Sequence, residues 1–237
     1  MLSGRIGVKD VRVNLSSMLT AGVAAVLACF SVRADEAEAR WVQSYNAGYT
    51  DRNGAHAGGS EIMHLVPHKG KLYAANGYWV DSRWVIPPDA EKQSAQVLRL
   101  DSADGHWQVD LDTGKANGFD LRYMKGNILK SVTFTRDAAG RRLEKPQNLL
   151  VMAAGANFER GGAVSTWVKD DSSGRWIHTL VRHGSTAGGV RWVPRDMEIY
   201  RDKETGIERL FLLLGNPGVT SGVYDPNLPG KIRWDRH

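Results

Sequence analysis

Three carboxylates stand close to the starts of strand-forming segments: Glu61, Asp120 and Asp196. If folding brings such acids together, a protonated and an ionised carboxyl can cleave a glycosidic bond by acid/base hydrolysis. Around them fall Arg52 and His56, then Tyr78, Trp79 and Arg83, then Arg122, Asn157 and Arg160, and finally His183, Arg191 and Asn216. Arginines, histidines, amides and aromatics in one mouth would suit a polar or anionic ligand. His56 precedes Ala57-Gly58-Gly59 and His183 precedes Ala187-Gly188-Gly189, a partial echo between two loops. Two histidines without a third ligand do not make a metal site, so neither a metal nor another cofactor is expected. No glycine-rich phosphate cradle, His-Glu-x-x-His pair or Gly-x-Ser-x-Gly elbow occurs. Each candidate has a structural alternative. Loop Asp and Asn commonly bond their own backbone, and an Arg beside an acid is commonly a surface pair.

These residues act together only if a scaffold positions them, and the scaffold is written three times. Apolar runs ending in glycine recur at Leu72–Gly77, Leu149–Gly155 and Leu210–Gly215. Reading four strands around each predicts Glu61–Pro67, Lys71–Gly77, Ala95–Leu100 and His106–Leu111 for the first unit. The second unit is Ile128–Arg136, Asn148–Gly155, Ala163–Lys169 and Arg175–Val181. The third is Asp196–Arg201, Arg209–Gly215, Ser221–Tyr224 and Lys231–Asp235. The strands are rich in Val, Ile, Leu, Tyr and Trp and no window has helical period, so the chain reads as all-β. Turns such as His68-Lys69-Gly70 and Asp137-Ala138-Ala139-Gly140 end in the glycine that a tight reversal needs. Trp107 and Trp176 recur with the strand repeat and read as core anchors.

Repeated four-stranded antiparallel units resemble the blades of a β-propeller, here about residues 61–114, 118–182 and 190–237. The Gly-ended second strands are similar to those of kelch-type blades, and Ser102–Trp107 is similar to the Asp-box turn of sialidase-like propellers. The resemblance implies that blade-to-blade loops and the loops between second and third strands gather on one face, where the candidate residues fall. It implies binding of a small polar molecule, a carbohydrate or a protein partner there. A hydrolase or lyase acting on carbohydrate through Glu61, Asp120 and Asp196 is the alternative. Arg40–Tyr45 resembles the fourth strand at Arg175–Leu180, so residues 35–60 are expected to supply a closing strand and a loop. Three blades and a loose strand fall short of the roughly 4 to 8 of a closed ring. The expectation is an incomplete ring, either the front part of a longer propeller or one completed between chains.

Residues 1–34 read as an export signal: Arg5, Lys9 and Arg12 are followed by the apolar run Met18–Phe30 and a cleavage site at Val32-Arg33-Ala34. The exported product would be periplasmic or secreted, without a membrane-spanning segment. Cys29, the single cysteine, lies in Val26-Leu27-Ala28-Cys29, which loosely resembles a lipoprotein processing site; the bulky Leu27 favours cleavage after Ala34 instead. The mature chain then has no thiol, which excludes disulfides and a cysteine nucleophile. Four bases and one acid in residues 1–34 hold +3 of the formal charge of +5, leaving +2. That balance, without a basic stripe, argues against nucleic acid as a partner.

Overall fold

The computed structural model describes residues 43–59, 61–77, 94–114, 123, 125–155, 163–183, 193–215 and 218–235. Among the described residues there are no helices, and regular structure consists of one two-stranded and three four-stranded antiparallel sheets. The small sheet pairs β1 (Tyr49–Thr50) with β2 (His56–Ala57). Sheet 1 contains β3 (Glu61–His68), β4 (Lys71–Gly77), β5 (Gln96–Leu100) and β6 (Gln108–Asp112). Sheet 2 contains β7 (Ile128–Arg136), β8 (Arg142–Gly155), β9 (Ala163–Asp170) and β10 (Arg175–His183). Sheet 3 contains β11 (Met197–Arg201), β12 (Glu208–Gly215), β13 (Gly218–Tyr224) and β14 (Ile232–Trp234). Each large sheet is a plain meander in chain order.

The twelve strands expected from the sequence are these twelve, and the main difference lies in β8. It starts at Arg142, six positions before Asn148, because its hairpin with β7 continues down to the Arg136–Arg142 pair. The added residues Arg142–Gln147 are mostly polar and exposed, held as strand by pairing with β7 and by Leu143, which packs against the core between sheets 2 and 3. At the β3–β4 turn both Lys69 (φ 45°) and Gly70 (φ 76°) are left-handed, the conformation of a two-residue hairpin that follows the strand twist.

Packing follows the two-residue period of the strands. Sheet 2 is apolar on both faces. Leu150, Met152, Ala154 and Trp167 meet Tyr73, Ala75 and Val97 of sheet 1, while Val132, Phe134, Val151 and Val168 meet Met197, Leu210 and Leu212 of sheet 3. The Tyr123 ring stands edge-on to Trp167, 4.8 Å between centroids, and both are fully buried. Each such side chain contributes on the order of 1.5–3 kcal/mol through burial. Trp107 is buried, and Trp176 and Trp234 pack against the two inter-sheet cores. The anchoring read for Trp107 and Trp176 is thus what they do.

The expected closing strand is corrected in part. Of Arg40–Tyr45, residues 40–42 lie outside the described residues, and Gln43, Ser44 and Tyr45 are not in a strand. Instead Tyr45, Tyr49 and Ala57 cover the far face of sheet 1 over Ala74, Leu98, Leu100 and Trp107. Aromatic side chains and backbone hydrogen bonds fix this segment: the Tyr49 hydroxyl donates to the Trp107 carbonyl at 2.5 Å, and the Tyr45 hydroxyl donates to the Gly58 carbonyl. Among the described residues no helix is long and apolar enough to cross a membrane.

Candidate functional site

The first strands of the three sheets, β3, β7 and β11, lie side by side and run the same way. Antiparallel meanders then put the hairpin turns at one end of the stack. The opposite end, the loop end, carries the starts of the first strands, the ends of the second and the starts of the third. Of the sequence candidates among the described residues, Glu61, His56, His183 and Asp196 fall at this end.

Glu61 opens β3, exposed and paired through the backbone with Gly77. Asp196 immediately precedes β11, accepts the Met197 amide at 2.8 Å and lies 3.9 Å from the Lys130 ammonium. His56 is exposed on β2, and its carbonyl accepts a hydrogen bond from the Gln96 side chain at 2.8 Å. His183 ends β10, opposite Ala163. Arg52 is a correction to the expected loop face: it lies 3.5 Å from Asp101, at the β5–β6 turn, because the β1–β2 hairpin runs along β6. Asp120, Tyr78, Trp79, Arg83, Arg122, Asn157, Arg160, Arg191 and Asn216 lie outside the described residues.

The described geometry brings Glu61 into a cluster the sequence did not mark. Lys125 forms an isolated antiparallel bridge to Gly77, the residue paired with Glu61. A Cβ at Gly77 would stand 3.2 Å from Lys125 Cγ and 3.1 Å from Met63 Sδ, so the lysine stem lies across the end of β4 where only glycine leaves room. Partial burial, reinforced by Arg195 and opposed by Glu61, holds the Lys125 amine below the usual lysine range. Lys125, Arg195 and Glu61 therefore share one local field. Beside them Lys130 donates to the Met197 carbonyl at 2.7 Å and to Glu198, whose carboxyl is drawn down chiefly by that bond. His64 Nε2 lies 2.7 Å from the Asn127 carbonyl and ties β3 to the segment before β7. Among the described residues, the starts of β3, β7 and β11 thus carry Lys125, Lys130 and Arg195 beside Glu61, Asp196 and Glu198. Lys125, Lys130, Arg195 and Glu198 were missed because nothing local marks them: they flank or open strands, and only pairing between sheets assembles them.

At the loop end of sheet 1 the polar side chains hold backbone. Asn76 Nδ2 donates to the Gly58 carbonyl at 2.7 Å, its Oδ1 accepts the Gln96 amide at 2.7 Å, and Gln96 Oε1 accepts the Gly58 amide at 3.0 Å. Gly59 sits at φ +104° with a Cβ position 2.9 Å from the Asn76 side chain, so this clasp requires glycine there.

The turn end carries the buried ionic chemistry. Asp110 of β6 accepts hydrogen bonds from Lys169 of β9, from Arg99 of β5 and from Trp176 Nε1 at 2.7 Å. The Asp110 and Lys169 side chains are each 4% exposed. His68 is flanked by Ser131 Oγ at Nδ1 (3.0 Å) and Asp171 at Nε2 (3.2 Å). A carboxylate only accepts, so Nε2 carries a proton toward Asp171, while Nδ1 and Ser131 Oγ share the other hydrogen bond. The set has the composition of a Ser-His-Asp triad, but the His68 side chain is wholly buried and Ser131 Oγ also accepts from Asn148 at 3.0 Å. A nucleophile must reach its substrate. This chain of bonds joins sheets 1 and 2, as Glu208 joins sheets 2 and 3 by accepting from the amides of Thr135 (2.6 Å) and Arg136 (3.0 Å). Among the described residues no group of three His, Cys, Asp or Glu could hold a metal ion. Comparison with protein-family models, with curated proteins and with solved structures finds no match to this chain.

Proposed function

We propose that the three sheets are consecutive blades of a β-propeller in an exported protein, and that its loop end binds a small polar ligand bearing a negative charge. The observation that carries this reading is the bridge from Lys125 to Gly77, the strand partner of Glu61, with Arg195 acting electrostatically on the same amine. Two cations held close repel each other, and an anion between them relieves the repulsion. Glu61 would accept a hydroxyl of the same ligand, as in a sugar acid or hydroxy acid. A rigid sheet stack presenting such groups at its loop ends is a common arrangement for binding. The buried ionic groups at the turn end, Asp110 and Lys169, already satisfy each other across the interface of sheets 1 and 2.

Calorimetric titration with a panel of sugar acids, hydroxy acids and neutral sugars tests the reading. The expected result is saturable binding of one anionic class that weakens at least about tenfold, or about 1.4 kcal/mol, in Lys125→Ala and Arg195→Ala. Binding that is unchanged in both variants, or confined to neutral sugars, refutes it. The competing class, carbohydrate cleavage through Glu61, Asp120 and Asp196, would show as turnover abolished by alanine at those positions.

A further inference from the structure

The sheet stack has two end faces, and only one of them is covered by described residues. On sheet 1 the far face is closed by Tyr45, Tyr49 and Ala57. On sheet 3 the face turned away from sheet 2 carries Tyr200, Phe211, Leu213 and Val219; cross-strand pairing puts Leu213 opposite Val219 and Glu198 opposite Phe211. Tyr200, Leu213 and Val219 are 55%, 40% and 53% exposed, and the Tyr200 and Phe211 rings stand edge to face at 6.3 Å.

The repeat shows how unusual that exposure is within this chain. Two and four positions before the strand-ending glycine, sheet 1 has Ala75 and Tyr73, and sheet 2 has Ala153 and Val151. All four are buried because the next sheet covers them. In sheet 3 the same positions are Leu213 and Phe211, as apolar as their counterparts and larger than the alanines at the first position. This face therefore has the side chains of an interface.

We propose that the outer face of sheet 3 is a self-association surface, on which a second copy of this chain docks face to face about a two-fold axis. Two observations choose that occupant. Charges on this face are paired within the chain, Arg209 with Asp235 at 2.8 Å, Arg233 with Asp225 at 3.8 Å and Glu198 with Lys130, so these groups do not repel their copies across a two-fold contact. Head-to-tail stacking of copies would need the far face of sheet 1, which the chain's own Tyr45 and Tyr49 occupy. An isologous contact between open faces uses the exposed surface on both copies and closes at a dimer.

Light scattering coupled to gel filtration, with sedimentation equilibrium, tests this on the full chain. The expected result is a dimer over about 1–100 μM that dissociates on dilution, because assembly follows mass action. Leu213→Glu and, independently, Val219→Glu should raise the dissociation constant at least about tenfold with far-UV circular dichroism unchanged. Both positions are exposed in the single chain, so neither substitution disturbs a core. A wild-type monomer throughout the range, a dimer indifferent to both substitutions, or open-ended oligomers that grow with concentration would each overturn the proposal.

Discussion

Removing the carboxylate of Asp110 strands a buried ammonium, and the size of that effect follows from the contacts. Lys169 is 4% exposed, and besides Asp110 it donates only to the Gly174 carbonyl, at 2.9 Å, among its described hydrogen bonds. Breaking a buried pair by deleting one partner costs about 3–5 kcal/mol, against a total stability of about 5–15 kcal/mol for a domain. Asp110→Leu should therefore lower the midpoint of thermal unfolding by roughly 6–20 °C, at about 2–4 °C per kcal/mol for a chain of this size. Lys169→Met should cost less, about 2 kcal/mol, because Asp110 keeps Arg99 and Trp176 Nε1 as donors. The double variant leaves no stranded charge: Arg99 still has Asp101 at 2.9 Å. It should be more stable than Asp110→Leu alone, a coupling the double-mutant cycle reads directly. Urea unfolding followed by tryptophan fluorescence measures all four corners. Were Lys169→Met the costlier single change, or Asp110→Leu within about 1 kcal/mol of wild type, the buried pair would not be a stabilising link between sheets 1 and 2.

Three further outcomes check other parts of the structure. Glu208→Ala should cost about 2–4 kcal/mol, since it leaves the Thr135 and Arg136 amides unpaired in the gap between sheets 2 and 3, and hydrogen exchange should accelerate at those two amides. Burial pushes the Asp171 carboxyl up, but bonds from Lys69 and His68 outweigh it and hold the group below its ordinary 3.8. A depressed carboxyl contributes stability above its unfolded value and loses it as the pH falls through the lower folded value. Asp171→Asn should thus flatten the fall in unfolding free energy below about pH 4, and an acid limb as steep as wild type would contradict the pairing. Gly59→Ala should destabilise by about 1–3 kcal/mol and release the N-terminal segment to proteolysis, while Gly54→Ala, where φ is also positive but nothing lies within 4 Å, should be milder.

Strand positions were legible because each second strand carries its own pattern. In β12, Leu210, Leu212 and Leu214 alternate with Arg209, Phe211 and Leu213, and a glycine closes the run. In β8 the central run Leu149–Ala154 is continuously apolar, as a strand buried on both faces must be. What failed was the mostly polar start of β8, whose pairing continues the hairpin with β7 down to Arg136–Arg142, and the role of the segment before β3. Arg40–Tyr45 looked like a fourth strand because its sequence resembles Arg175–Leu180. Tyr45 instead lies over Trp107, centroid to centroid 6.5 Å, since a tyrosine can cover a sheet face as readily as extend its edge.

The same physics explains why the loop end was only partly legible. Side chains in long loops can be suspected from sequence because loops lack a packing role, and the notable residue types there stand out. Lys125 has no such mark. Its position follows from the Gly77 bridge between strands nearly fifty residues apart in sequence, and its neighbour Arg195 comes from a third sheet. A residue whose setting is decided by three sheets at once has no local signature, whereas Glu61 was found because a carboxylate opening an apolar strand is visible locally. Chemistry built from strand ends is thus under-read relative to chemistry built from loops. In a stack of meanders it is the strand ends that are rigid, so the groups hardest to find in the sequence are the ones best held to discriminate between ligands.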